Sequence, residues 1–267
     1  MKQLKIKEVQ SMQLVLMKKL HQFLAEEKIP YYLIAGSALG AVRHKGFIPW
    51  DDDIDIGIFR RDYERFLQVA NRFDSTYEII NSRNANNCDF SLTRIYFPDT
   101  MIDIPSIKNT VLDKRLYMDI FPLDNVPDDE IELQSYEEKI KARKKLIARI
   151  DVRDYGTSAF VLICKKVVSA CLLNSRGSIL QQTENLMRRY EEQNTKAVCS
   201  LCSQYSFKKQ VMPREYYGTP TLYQFEDTMF YGPEKINEYL TTLYGTDYMQ
   251  IPPESKRRAG HDIYSTK

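Results

Sequence analysis

No stretch of this chain reaches the roughly 20 consecutive apolar residues that a bilayer-spanning helix needs. Its greasiest segment, Ser158 to Leu173, is broken by Lys165 and Lys166. The opening MKQLKIKEVQSMQLVLMKKLHQFL scatters lysines through its apolar positions and lacks a small-residue cleavage site, so it reads as a retained helix and not as a signal peptide. Cysteine is sparse and odd in number (Cys88, Cys164, Cys171, Cys199, Cys202), which excludes a disulfide framework. A reducing, cytoplasmic setting is expected, in solution or at most on the inner face of a membrane. Cys199 and Cys202 have no second ligand pair in a histidine-poor region, which argues against structural zinc. Charge of one sign is also missing. Lys plus Arg (38) against Asp plus Glu (36) leaves +2, too little to hold a nucleic acid backbone by bulk field. Repeats and low-complexity tracts are absent.

What is present is an ordinary globular composition, 43% hydrophobic and 28% charged over 267 residues, enough for one large or two small domains. Leu4, Val9, Met12, Leu16, Leu20, Phe23 and Leu24 recur at helical spacing up to Ile29-Pro30. A short apolar run, Tyr31 to Ala35, then stops at Gly36-Ser37, and Ala38 to Arg43 has the composition of a brief helix. WDDDIDIGIF follows with strict alternation in its second half, and Asp62 to Phe73 returns to helical spacing. Strand-type segments (Tyr77 to Ile80, Ser91 to Tyr96, Leu116 to Phe121) lie among Asn- and Pro-containing loops. The expected class is α+β: a mixed-sheet core with flanking helices over residues 1–127, a helical insert over 128–210 interrupted near Gly156 and Gly177, and a C-terminal cap over 211–267 with a helix at Glu234 to Tyr244.

Asp51, Asp52, Asp53 and Asp55 put four carboxylates within five positions, a concentration that calls for a cation or for wide solvation. On a strand over 53–59, Asp53 and Asp55 share one face while Ile54, Ile56 and Ile58 share the other. Two such carboxylates can hold Mg²⁺ against a substrate phosphate; a solvated acidic turn is the alternative. An EF-hand reading fails because Ile56 stands where Gly is required and Asp62 where Glu is required. Gly36-Ser37, between a strand and a helix start, suits a phosphate. Strand, Gly-Ser, helix and then an Asp-x-Asp strand about sixteen residues on is the layout of the nucleotidyltransferase superfamily. Its third carboxylate, on a later strand, has Asp119 in YMDIF as its candidate.

GSALGAVRHKGFIPWDDDIDIGI closely resembles the signature of the LicD family of phosphocholine transferases, shared with the fukutin-related proteins. YMDIFPLDNVP, FEDTMFYGP and LYGTDYMQIPPESKRRAGH resemble its later blocks in order, spanning about residues 31 to 261. The resemblance implies an Mg²⁺-dependent enzyme, with Mn²⁺ as substitute ion, that moves phosphocholine from CDP-choline to a sugar hydroxyl of a glycan or lipid-linked glycan (teichoic acid, lipopolysaccharide or capsule precursor) and releases CMP. Asp53, Asp55 and Asp119 are then the catalytic and metal-holding acids, with Asp119 activating the acceptor. Arg43, His44, Arg94, Lys256, Arg257 and His261 become candidates for the diphosphate, with Arg258 beside them, since arginine grips phosphate through a bidentate fork. The C-terminal block is expected to fold back over the site. Choline offers no hydrogen-bond donor and needs aromatic faces; Trp50 is one candidate, although it also suits a purely packing role. Transfer of glycerol phosphate or ribitol phosphate, or non-catalytic cation binding, are the competing readings. The segment 158–173 reads as a buried helix, with an interfacial helix as the minority alternative.

Overall fold

The computed structural model describes residues 1–85, 91–103, 113–150, 163–164, 167–168, 171, 176–257 and 261–267. Cys88, Arg258, the expected break at Gly156 and most of Ser158 to Leu173 lie outside these residues, as does the side chain of Lys256. The elements run β1 (Lys2–Gln3), α1 (Ile6–Glu26), β2 (Tyr32–Leu33), α2 (Ala35–His44), β3 (Asp55–Phe59), α3 (Arg60–Val69), β4 (Glu78–Asn81), β5 (Thr93–Tyr96), β6 (Thr100–Asp103), β7 (Tyr117–Asn125), α4 (Glu130–Ile150), α5 (Arg176–Met187), β8 (Ala197–Cys199), β9 (Val211–Pro213), β10 (Thr221–Phe225), β11 (Thr228–Gly232), α6 (Ile236–Tyr244) and β12 (Asp262–Ser265).

The main sheet has the order β2-β3-β7-β5-β4, and β8 and β9 continue from the far end of β7. Its centre, β3 against β7, is parallel, while β2, β5, β4, β8 and β9 pair antiparallel. Ile54, Ile56, Ile58, Met118, Ile120 and Leu123 are fully buried, as central strands covered on both faces require. Helix α1 buries Val9, Leu16, Met17, Leu20 and Leu24 at three- and four-residue spacing. It ends where Lys28 adopts a left-handed φ of 54° and Ile29 N–H bonds back to the Leu24 carbonyl, before Pro30. Among the described residues no helix is long and apolar enough to cross a membrane.

Two departures from the sequence reading matter for the site. The acidic strand begins at Asp55 and not at Asp53, because the buried Gln13 amide donates to the carbonyls of Asp52 (3.2 Å) and Tyr117 (2.9 Å). A second glutamine, Gln10, donates to the carbonyls of Ile48 (3.2 Å) and Asp51 (2.8 Å). The carbonyls of Asp51 and Asp52, which open the acidic run, are thus held by α1 in place of strand pairing. The tail is also more strand-rich than its Tyr and Pro content suggests: β10 and β11 form a hairpin, and β12 lies between β1 and β6 in a three-stranded antiparallel sheet. A smaller apolar cluster (Val126, Tyr136, Ile140, Met187, Tyr190, Cys199, Leu201) packs α4 and α5 against β8.

Candidate active site

Asp55 and Asp119 are register partners on the parallel strands β3 and β7, and Asp119 is in turn the partner of Arg94 on β5. Register neighbours share a sheet face about 4.8 Å apart, so three adjacent strands present a row of acid, acid and base. Arg94 Nε donates to Asp119 Oδ1 at 2.9 Å, and its guanidinium lies 4.0 Å from the centre of the Tyr117 ring. Ser37, in the first turn of α2, accepts the Asp55 N–H through Oγ at 2.8 Å, which ties the helix start to the acidic strand. Gly36 lies beside Asp51: a β-carbon there would sit 2.9 Å from Asp51 Oδ2, so any larger residue displaces that carboxylate from its present position. The Gly-Ser pair and the acids are therefore one structure.

The expected ligand trio was Asp53, Asp55 and Asp119. Among the described residues the three carboxylates that all lie within 4.8 Å of one another are Asp51, Asp52 and Asp53. Arg94 bonds Asp119, and Asp53 stands just before the strand, with Asp55 the charge that acts on it most. Asp52 is already engaged, since His261 donates its backbone N–H (2.6 Å) and places Nδ1 3.1 Å from the same Asp52 oxygen. Asp51 lies in the same close group as Asp52 and Asp53 and beside Gly36.

Electrostatics binds these groups together. Burial, and then the Asp55, Asp51, Asp52 and Asp119 charges, push the Asp53 carboxyl well above the ordinary range. Burial, Asp119 and Asp51 do the same to Asp55, with Arg94 pulling the other way. Asp51 is raised to about 6 by burial and by Asp52. Burial also acts upward on Asp52, but the His261 contacts outweigh it and hold it low, while the hydrogen bond to Asp52 raises His261. Half-buried, hard oxygen donors that repel one another in this way fit a divalent cation such as Mg²⁺. Asp51, Asp53, Asp55 and Asp119 are the residues that would share it.

The remaining candidates form a neighbouring group. The Arg257 guanidinium lies 4.8 Å over the Trp50 ring, with Nε donating to the Pro252 carbonyl at 3.0 Å. The His44 ring is edge-on to Trp50 at 6.3 Å. Arg43 donates from Nη1 to the carbonyls of Tyr248 (2.9 Å) and Gln250 (3.2 Å) and from Nε to His44 Nε2 (2.9 Å), so much of its guanidinium tethers the 248–250 loop to α2. Trp50, expected as a choline platform, already carries a cation. The C-terminal segment does return to the acidic run, through Arg257 at Trp50 and His261 at Asp52.

A family model described as LicD/FKTN/FKRP, nucleotidyltransferase domain, matches residues 28–150. The lipopolysaccharide cholinephosphotransferase LicD of Haemophilus influenzae is 31% identical over 273 residues, covering 98% of this chain and 97% of the relative. The chain belongs to the LicD family. A shorter similarity, 53% over 34 residues, links it to the mouse ribitol 5-phosphate transferase FKRP, covering 13% of this chain and 7% of that one. As a LicD-family enzyme it is a transferase. The family match covers the first two motif blocks read in the sequence, whereas Gln10 and Gln13 carry no motif. They occupy an amphipathic helix in which glutamine is unremarkable, and their one sequence signal is a polar residue on the buried face of α1.

Proposed function

We propose that this enzyme transfers phosphocholine from CDP-choline to a sugar hydroxyl of a cell-surface glycan precursor (teichoic acid, lipopolysaccharide or capsule), releasing CMP, with Mg²⁺ or Mn²⁺ at the acid row. In this reading residues 1–127 are a nucleotidyltransferase-like core, 128–210 a helical insert and 211–267 a cap that completes the site. The observation that carries the reading is Asp55 beside Asp119 on one face of parallel strands, backed by Asp51 and Asp53. Similarity over nearly the whole chain to a lipopolysaccharide cholinephosphotransferase supports the cargo and the acceptor class.

The acceptor oxygen attacks the phosphorus that bears choline. A new P–O bond forms, the bond from that phosphorus to the bridging oxygen breaks, and CMP leaves with the bond's electron pair. When bound, the ion supplies charge neutralisation for the diphosphate and acidifies the acceptor hydroxyl. Asp119, oriented by Arg94, takes the hydroxyl proton. Asp51, Asp53 and Asp55, with Asp119, would hold the ion, Ser37 fixes the Asp55 backbone, and Gly36 keeps the helix start clear of Asp51. Trp50 acts on the donor through Arg257, so the choline ammonium is met by other aromatic faces.

The short similarity to a ribitol 5-phosphate transferase favours a second reading, in which the same apparatus moves a polyol phosphate. CMP release from CDP-choline, CDP-ethanolamine, CDP-glycerol and CDP-ribitol, measured with one acceptor extract, separates the two. A cation–π contact of ~0.5–2 kcal/mol gives CDP-choline an advantage of roughly 2- to 30-fold over the polyol donors. Equal or better use of CDP-glycerol or CDP-ribitol replaces the cargo and leaves the acid roles intact.

A further inference from the structure

Apart from the acid row, an open cleft of about 740 Å³ lies at the other end of β3, lined by Phe59, Thr195, Lys196, Arg214 and Glu215 among other residues. Asp55, Gly57 and Phe59 share one face of that strand, and the four steps from Asp55 to Phe59 span roughly 13 Å at ~3.3 Å each. A β-carbon on Gly57 would meet the Ile34 side chain at 3.0 Å and that of Leu123 at 3.1 Å, so apolar packing divides the cleft from the acids. Arg214 is fixed in the cleft wall. Its Nε donates to the Thr195 carbonyl at 3.1 Å, Nη2 donates to Asn125 Oδ1, and the guanidinium lies 4.9 Å from the centre of the Phe59 ring. Asn125 is held in turn, since Nδ2 donates to the carbonyls of Tyr190 (3.0 Å), Glu191 (3.1 Å) and Gln193 (2.6 Å). Phe59 stands edge-on to Tyr32 and Tyr217. The guanidinium is therefore positioned before any ligand arrives.

What it lacks is a counter-ion. Arg214 is half-buried, and among the described residues no carboxylate forms an ion pair with it. Burial disfavours its charge, with Tyr32 and Asp128 acting the other way. The acids nearby have other partners: Asp128 accepts the Lys196 N–H (2.8 Å), Glu215 pairs with Lys235 (3.3 Å), and Glu234 accepts the Thr219 N–H (2.7 Å). A preset guanidinium with N–H groups to give matches an oxyanion through its fork. Lys196, exposed at the same cleft, supplies a second cation, which suits phosphate, whose oxygens outnumber those of a carboxylate. The donor does not provide this anion. Its diphosphate belongs at the acid row, the cytosine base is neutral and choline is a cation, so the acceptor is the substrate with a group to place here.

We propose that the Arg214 cleft binds a phosphate group carried by the acceptor glycan at a distance from the hydroxyl that reacts; the assignment to the acceptor rests on the transfer reading above. The site itself is tested without turnover, by the ³¹P line width of inorganic phosphate added to the full-length protein in EDTA. Wild type broadens the signal, Asp55→Asn does so equally, and Arg214→Gln does not. CMP release at graded acceptor extract tests the source of the phosphate. Arg214→Gln raises the extract needed for half-maximal rate roughly tenfold or more, the scale of a lost charge-assisted pair, with maximal rate and CDP-choline demand unchanged. Arg214→Lys, which keeps the charge and loses the fork, falls between, and decides the matter if Arg214→Gln does not melt like wild type. No broadening by wild type, or equal broadening by both Arg214 variants, overturns the site. Broadening that depends on Arg214 with unchanged acceptor demand overturns the glycan as source and gives the cleft to free phosphate. No CMP release from any CDP donor refutes the transfer reading, and the glycan source with it, while the ³¹P measurement still decides the site.

Discussion

Substituting Gly36 by Ala would separate the placement of Asp51 from the integrity of the fold. The new β-carbon would start 2.9 Å from Asp51 Oδ2, whereas ordinary contact begins at 3.4 Å, so the carboxylate must retreat by about 0.5 Å. The obstacle is the tip of a side chain and not backbone. Turning that side chain ~30° off its rotamer costs ~0.5–1.5 kcal/mol, and exchanging Gly for Ala within a helix returns roughly 0.5–1 kcal/mol. Stability should therefore change by no more than about 1 kcal/mol. The chemistry has less tolerance, since a displacement of about 1 Å can cost ~10²-fold; half of that should lower turnover by about tenfold and raise the Mg²⁺ concentration needed for half-maximal rate. Thermal melting and CMP release at graded Mg²⁺ measure both quantities. Wild-type turnover and Mg²⁺ demand with an unchanged melt would remove Asp51 from the ion-holding group. A loss of several kcal/mol would show that the helix, not the carboxylate, gives way.

Two further outcomes follow from the buried charges. Asp55 has a folded-state pKa above its unfolded value, so its ionised form costs stability at pH 7 and ceases to do so as pH falls below the ordinary carboxylate range; Asp55→Asn should melt higher than wild type in EDTA at pH 7, lose that advantage near pH 4, melt lower than wild type in saturating Mg²⁺ and transfer nothing, whereas a lower melt in EDTA would refute the mutual repulsion of the acids. Asp124→Ala leaves Arg60, 2% exposed, without a partner that it grips through Nε (2.6 Å) and Nη2 (3.0 Å), and should cost about 3–5 kcal/mol in urea unfolding, with much of the loss restored by adding Arg60→Met; a cost below about 1 kcal/mol would mean that Glu64 and Glu184, also within reach of Arg60, suffice.

The sequence made the chemistry more legible than the architecture around it. Asp53, Asp55, Asp119, Gly36 and Ser37 stand out because short motifs confine their residue types; the structure places Asp55 and Asp119 side by side on β3 and β7, Gly36 and Ser37 at the start of α2, and Asp53 just before β3. The bonds between Arg94 and Asp119 and between His261 and Asp52 span 25 and 209 positions, separations that no local pattern encodes. Strands β6 and β12 were missed for a related reason. TMID and DIYS are too short for an alternation to register, and their strand character comes from the partner across the ladder. The start of β3 at Asp55 depends on a side chain of α1, which likewise lies outside the window in which periodicity is read.

The three-stranded sheet has its middle strand from the far end of the sequence: Lys2 faces Ser265, and Ile263 faces Ile102. Its two outer strands, both earlier in the chain, do not touch each other and so have nothing to assemble on until β12 is inserted between them. Closing a loop of more than 250 residues is entropically slow. The backbone N–H that His261 gives to Asp52 belongs to the residue immediately before β12, so the acidic run receives this partner only when the sheet zips shut. Folding kinetics followed at Trp50, whose ring lies under Arg257, should then show a late phase in which the acidic loop becomes ordered after the main sheet has formed.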